Sequence, residues 1–184
     1  LDAFLHTSIL PHIHTQNMSD TTNVDAAQVE DPDSLREALL DQLRYLVQEI
    51  EALRTVVGDL PDEIKSGRPA PDALTMKELY GAIATLDAEV RQSRITAIVE
   101  TDTPAFESVE PADEVRDAGW NERAMDAILD DVTAARQDLV DQLEALPQDA
   151  WHRSATLDGE EVTLFDLAHR ITQTDAERLR DLGY

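Results

Sequence analysis

Four stretches of this sequence repeat apolar residues at steps of three and four, and this spacing limits the fold more than any other feature. In the first stretch the steps are 4, 4, 3, 4, 3 and 4, which place the apolar side chains on one face of an α-helix. The residues of that stretch are Leu35, Leu39, Leu43, Leu46, Ile50, Leu53 and Val57. Aromatic residues make up only 4% of the chain, so the core must be aliphatic, and the sequence predicts helices rather than a sheet.

Local capping signals predict where the first two helices begin. Ser34 and Glu37 have the spacing of a capping box, so we expect the first helix to begin at Ser34 and to end at Gly58. Thr75 and Glu78 repeat this spacing at the start of the second helix, which the apolar pattern extends to about residue 100.

The remaining two helices follow long connections. Residues 101–120 form an acidic connection, after which Asn121 is predicted to cap a third helix that ends at Leu146. A second connection reaches the capping box of Thr163 and Asp166, where the fourth helix is predicted to begin and to run to about residue 182.

Four amphipathic helices with capped starts predict an all-α fold, a four-helix bundle. The two long connections, residues 101–120 and 147–162, argue against a simple up-down-up-down series of hairpins. Asp158-Gly159 within the second connection is typical of a turn.

The first part of the chain differs from the bundle. Residues 1–33 are predicted to be a disordered N-terminal extension and residues 34–184 the bundle domain. Met18 has the context of a natural start, so the 17 residues before it are of uncertain origin. They contain three of the five histidines, His6, His12 and His14. The pair at 12 and 14 is either a metal site or, as we expect, an adventitious binder.

The charge balance is strongly acidic, with 39 acidic against 15 basic residues and a net charge of −24. Lysine occurs only at Lys65 and Lys77. Self-repulsion of this size is relieved when salt screens it, which predicts a protein of a salt-adapted cytoplasm. Binding to nucleic acid needs clustered basic residues that the sequence lacks, so no nucleic-acid partner is expected.

Three further absences from the sequence exclude classes of chemistry or of partner. There is no cysteine, which excludes disulfides, thiolate catalysis and cysteine zinc sites and favours a cytoplasmic location. No apolar run approaches the ~18–20 residues that a membrane span needs, so no membrane partner is expected. The sequence also has no glycine-rich phosphate loop, nucleophile elbow or HExxH motif.

Two segments of the chain resemble those of a known family. Residues 73–83, ALTMKELYGAI, resemble the W-S-x-x-E-x-x-x-H-L motif of the DinB/YfiT-like helical bundles. Residues 162–179 resemble the closing helix of that family, with its H-D-x-x-H-L motif. The resemblance spans residues 34–182 and implies the DinB/YfiT-like four-helix bundle.

The resemblance also implies that the metal site of the family has been vacated. In the family, one histidine on the second helix and two on the last helix bind a divalent metal, and the corresponding residues here are Ala82, Thr174 and Arg178. Leu74 stands where the family has tryptophan. Alanine cannot bind a metal, threonine is a poor neutral ligand and arginine repels a cation. No metal and no other cofactor are therefore expected.

Arg178 suggests what has replaced the metal. If the face of Glu78 and Ala82 meets the face of Thr174 and Arg178, the guanidinium lies near the position of the metal in the family. It would then pair with Glu78 or hold a small anionic ligand in a bidentate way. The alternatives are an exposed Arg178 paired with Asp175, and a Glu78 that serves only in its capping box.

The sequence gives little support for a replacement metal site formed by other residues. His169 lies about 140° around the fourth helix from Thr174 and is expected to point away from it. His152 lies in the second connection, and its spacing from other possible ligands does not indicate that it binds a metal. Asp87 and Asp175 carry the hard oxygen ligands that cations such as Ca²⁺ prefer, but in so acidic a chain we expect each to be a solvated charge.

Three functional hypotheses follow. The first is a DinB-like bundle that has lost metal-dependent catalysis and acts as a binding or interaction module, with a small anionic ligand, a protein partner or a second copy of itself. The second is a metal-dependent enzyme of the family, a thiol transferase or hydrolase with non-standard ligands. The third is a structural coiled-coil protein, which the proline-containing loops disfavour. The first interpretation is the one that the sequence supports best.

Overall fold

The predicted apolar faces pack against one another in the computed structural model, which describes residues 32–181. The side chains of Pro32, Leu179 and Asp181 are not part of that description. Residues 1–31 of the predicted N-terminal extension, with its three histidines, lie outside the described residues, as do residues 182–184. The division into an extension and a domain therefore stays a prediction.

Four long helical stretches form the bundle. They are α1 (Pro32–Gly58), a composite of α3 (Met76–Thr85), a π-helical turn (Leu86–Arg91) and α4 (Gln92–Glu100), then α6 (Met125–Glu144) and α7 (Leu164–Asp181). The connections contain the short helices α2 (Asp62–Lys65) and α5 (Pro111–Val115) and the 3₁₀ turns Trp120–Glu122 and Gln148–His152. The predicted four-helix bundle is thus confirmed. Within the described range, no helix combines the length and the apolarity needed to cross a membrane.

A small sheet, which the sequence pattern did not indicate, joins the two long connections. It contains β1 (Ala105–Phe106), β2 (Ser154–Leu157) and β3 (Glu160–Thr163), in that order. β1 pairs with β2 in parallel, and β2 pairs with β3 in antiparallel. Asp158 and Gly159, with φ values of 54° and 83°, form the two-residue turn of this hairpin, as expected where both central residues need positive φ.

Two of the predicted capping boxes are confirmed. At α3 the Thr75 hydroxyl accepts a hydrogen bond from the Glu78 backbone N–H, and the Glu78 carboxylate accepts one from the Thr75 backbone N–H. At α7 Thr163 and Asp166 make the same reciprocal pair. Both boxes depend on a spacing of three residues, which is why the sequence alone could predict them.

The predicted starts of the other two long helices are wrong. α1 begins at Pro32, so Ser34 lies inside the helix and cannot cap it; proline suits a first helical turn because it has no N–H to leave unpaired. α6 begins at Met125 after Ala124. Asn121, the predicted cap of α6, instead accepts a hydrogen bond from the Thr75 hydroxyl at 2.7 Å and so ties the start of α3 to this connection.

The core consists of two apolar clusters at different levels of the bundle. On α6, Met125, Ile128 and Val132 belong to one cluster, and Leu139 and Leu143 belong to the other. The predicted inward faces are largely confirmed, although Leu35 is 37% exposed. The level between the two clusters on α6 contains a charged residue, Arg136, and this level of the bundle forms the candidate site.

Candidate functional site

Arg136 is a fully buried arginine in the middle of α6. Its Nε donates a hydrogen bond to Oδ2 of Asp87 at 2.6 Å, and Asp87 is fully buried on the π-helical turn. Its Nη2 lies 2.7 Å from Oδ2 of Asp175, which is 5% exposed on α7. One guanidinium therefore joins three of the four long helical stretches.

Arg91 completes this buried group. It lies one helical turn after Asp87, contacts that carboxylate, and has its Nη1 3.5 Å from Oδ1 of Asp175. Arg136, Arg91, Asp87 and Asp175 are hereafter the charged quartet. Two guanidinium groups and two carboxylates balance, as buried charges must.

Burial and ion pairing have opposite effects on the pKa of Arg136. Burial lowers its pKa, but the carboxylates of Asp87 and Asp175 outweigh this effect and raise the pKa above the ordinary value. Arg136 is therefore charged at every physiological pH. The expectation that Asp87 and Asp175 are solvated charges is wrong, because both are buried against this cation.

Sequence reasoning missed Arg136, although the sequence contains a signal for it. Arg136 lies four residues after Val132 and four before Val140, and both of these are buried. Residues four apart share a helix face, so a basic residue lies on an otherwise apolar face. A cation at such a position must have buried anionic partners, and this would have directed attention to the acids of the neighbouring helices.

A cavity of about 210 Å³ lies beside the charged quartet, between the π-helical turn, α4 and α7. Its walls are mostly aliphatic, with Leu86, Ile95, Leu164 and Ile171 among them. Among the described residues, four arginines line it and no acidic residue does, although acids make up 39 of the 184 residues of the chain. These arginines are Arg91, Arg94, Arg170 and Arg178.

Arg178 is the arginine of this cavity with an unused donor. It is half-buried, and its Nη1 is buried without a hydrogen-bond partner among the described residues. Burial lowers the pKa of Arg178, the nearby Arg91 lowers it further, and Asp175 and Asp87 oppose these effects only in part. Those two carboxylates already bind Arg136 and Arg91, so Arg178 has no carboxylate of its own among the side chains that the structure describes.

The other arginines of the cavity have partners. Arg94 donates from Nη2 to the Glu107 carbonyl oxygen at 2.5 Å. Asp158 attracts both Arg94 and Arg170, and the hydrogen bonds from Ser108, followed by these two arginines, hold the pKa of Asp158 below its usual range. Ser108 and Arg170 are exposed, so the cavity opens on this side.

The structure brings together two of the four site residues predicted from the sequence. Thr174 and Arg178 both line the cavity. The Thr174 hydroxyl donates to the Arg170 carbonyl oxygen one turn earlier. Ala82 is fully buried in the apolar cluster of Tyr80 and does not line the cavity. The grouping of all three family positions therefore stays a prediction.

Glu78 serves elsewhere, at the start of α3. Its Oε1 accepts hydrogen bonds from Arg68 Nη2 at 2.7 Å and from Asn121 Nδ2 at 2.9 Å. Burial raises the pKa of Glu78, but hydrogen bonds from the Thr75 backbone and from Arg68 outweigh this effect and lower the pKa overall. The hypothesis that Glu78 pairs with Arg178 is wrong, and so is the alternative of an exposed Arg178 in an ion pair with Asp175.

The residues present do not fit the divalent metal that the resemblance associates with this fold. Asp87 and Asp175 are both occupied by guanidinium groups that cannot be deprotonated. His152 and His169 are exposed, and neither lines the cavity. Across residues 32–181, no three histidine or acidic side chains are grouped so that they could hold a metal ion.

Comparison with known proteins identifies a structural relative. No family profile matches the sequence, and no curated protein does either. The solved structure of YfiT from Bacillus subtilis superposes with a TM-score of 0.61 and 12% identity, over 87% of this chain and 92% of that one. YfiT is described as a probable metal-dependent hydrolase with an unusual four-helix bundle topology. The likeness shows that this chain has a YfiT-like, and therefore DinB-like, four-helix bundle fold.

Proposed function

We propose that this protein is a metal-independent binding module whose cavity holds a small organic anion. The observation that carries the proposal is the buried Nη1 of Arg178, which has no hydrogen-bond partner among the described residues, in the wall of a mostly aliphatic cavity. A guanidinium is the side chain best suited to bind a carboxylate or phosphate through two parallel hydrogen bonds. The aliphatic walls would hold the body of the ligand.

The charged quartet supports this proposal over a metal-dependent activity. Arg136 joins the π-helical turn, α6 and α7 through Asp87 and Asp175. A divalent cation would have to displace two fixed positive charges to reach those carboxylates. We therefore expect this cavity to bind an anion rather than to support the metal-dependent hydrolysis for which YfiT is described.

Benzoate tests the proposal, because it combines one carboxylate with a compact apolar body. We expect benzoate, added to protein treated with a chelator, to raise the melting temperature, since a ligand at 100 times its Kd stabilises the folded state by about 2.7 kcal/mol. Benzamide, the neutral analogue, should have little effect. Arg178→Gln should abolish the response to benzoate.

Arg180→Gln is the matched control, because Arg180 lies on the same helix, is exposed and does not line the cavity. It should respond to benzoate as the natural sequence does. A panel of benzoate, hexanoate and phenyl phosphate that leaves the melting temperature unchanged would contradict the proposal. Elemental analysis of protein purified without a histidine tag adds a second test, and one equivalent of zinc, nickel or manganese would favour the metal-dependent alternative.

A further inference from the structure

If the cavity binds an anion as proposed above, the charges around it specify the charge of that ligand. At the inner end, the guanidinium groups of Arg91, Arg136 and Arg178 face the carboxylates of Asp87 and Asp175. Among the side chains that the structure describes, three positive charges against two negative charges leave one positive charge without a partner. A buried charge without a partner is costly, so the inner end has room for one negative charge.

Each described arginine at the mouth of the cavity has a carboxylate near it. Arg94 and Arg170 lie near Asp158, and Arg170 also lies near Asp166. Two guanidinium groups therefore face two carboxylates. The guanidinium of Arg94 is held further by the Glu107 carbonyl oxygen and by the ring of Phe106, 5.4 Å away. Among the described side chains, a second negative charge on the ligand would compete here with carboxylates that already attract both cations.

The size and lining of the cavity limit the rest of the ligand. Between the inner end and the mouth the walls are aliphatic, including Leu86, Ile95 and Ile171. Apolar cavities of about 150 Å³ hold benzene, so a cavity of about 210 Å³ suits a body of that size with one headgroup. A polar group on that body would be desolvated against aliphatic side chains without a hydrogen-bond partner.

We infer that the cavity selects monoanions with one headgroup and a compact apolar body, bound with the headgroup on Arg178 and the body among the aliphatic side chains. Dianions are disfavoured because only one positive charge is uncompensated. Small inorganic anions and acetate are disfavoured because they leave the apolar walls unfilled.

Isothermal titration with a matched series tests this selectivity at constant KCl and pH 7.5. The series is benzoate, terephthalate, acetate and benzamide, which vary the charge and the apolar body separately. We expect benzoate to bind at least tenfold more tightly than each of the other three. Arg178→Gln should remove most of the difference between benzoate and benzamide, and Arg180→Gln should preserve it.

The outcomes separate this inference from the proposed function. Terephthalate that binds as tightly as benzoate would overturn the preference for a monoanion and leave anion binding intact. Acetate that binds as tightly would overturn the role of the apolar walls. Benzamide that binds as tightly as benzoate, or an absence of binding by every anion in the series, would overturn the proposed function itself.

Discussion

A single residue, Arg136, joins three of the four long helical stretches of the bundle. Its guanidinium bonds to carboxylates from the π-helical turn and from α7. Like a bound metal ion, this arrangement holds helices together. Unlike a metal ion, the guanidinium cannot leave the protein or activate a water molecule. Buried ion pairs are balanced between the cost of desolvation and mutual attraction, so removing one partner costs far more than removing them all.

Arg136→Met tests this role. The variant leaves Asp87 and Asp175 without their main partner, so we expect the free energy of unfolding to fall by about 3–5 kcal/mol. The quadruple variant Asp87→Leu, Arg91→Met, Arg136→Met, Asp175→Leu should recover most of that loss, because it removes all four charges of the quartet together. Urea denaturation at constant KCl measures both.

Arg116→Met is the matched control, because Arg116 is exposed and donates only one long hydrogen bond, 3.5 Å to the Asp72 carbonyl oxygen. It should change the free energy of unfolding by no more than about 0.5 kcal/mol. An Arg136→Met protein as stable as this control would show that Arg136 does not hold the helices together.

Elements that depend on residues a few positions apart could be predicted from the sequence, whereas elements that depend on distant residues could not. The capping boxes at Thr75 and Thr163 each depend on a residue three positions away, and both are confirmed. β1 has only two residues and pairs with β2 about 50 positions later in the chain, so no local period indicated it. The sequence also did not predict the π-helical turn, because the spacing of its apolar residues resembles that of an α-helix.

The contact between α3 and the 3₁₀ turn at Trp120 carries a further prediction. A Cβ at Gly81 would lie 2.6 Å from Cγ and Cε2 of Trp120, closer than packed atoms come. Gly81→Ala should therefore destabilise the protein by about 1–3 kcal/mol, through displacement of the indole ring. Thermal denaturation followed by tryptophan fluorescence measures the loss and reports on the ring.

Gly58, the last residue of α1, provides the matched comparison, since a Cβ there would meet no atom within 4 Å. Gly58→Ala should be neutral or slightly stabilising, because alanine favours helix by up to about 1 kcal/mol over glycine. Equal effects of the two substitutions would contradict the steric explanation for Gly81.

The whole molecule carries a net charge of −24, and its stability should depend on salt. Added KCl screens the repulsion between surface carboxylates, so we expect the melting temperature to rise as KCl is increased. Sucrose at equal osmolality is the control for general solvent effects. A melting temperature that does not respond to KCl would contradict the salt-adapted interpretation. The cytoplasmic location and the homodimer suggested by the sequence stay predictions.

The proposed function depends on the binding of an organic anion in the cavity beside Arg178. A crystal structure of the full chain with 4-bromobenzoate, recorded at the bromine absorption edge, tests it most directly. The account predicts one bromine peak inside the cavity, with the carboxylate on the Arg178 guanidinium and the charged quartet intact. A peak elsewhere with an empty cavity, or a metal ion bound between Asp87 and Asp175, would contradict it.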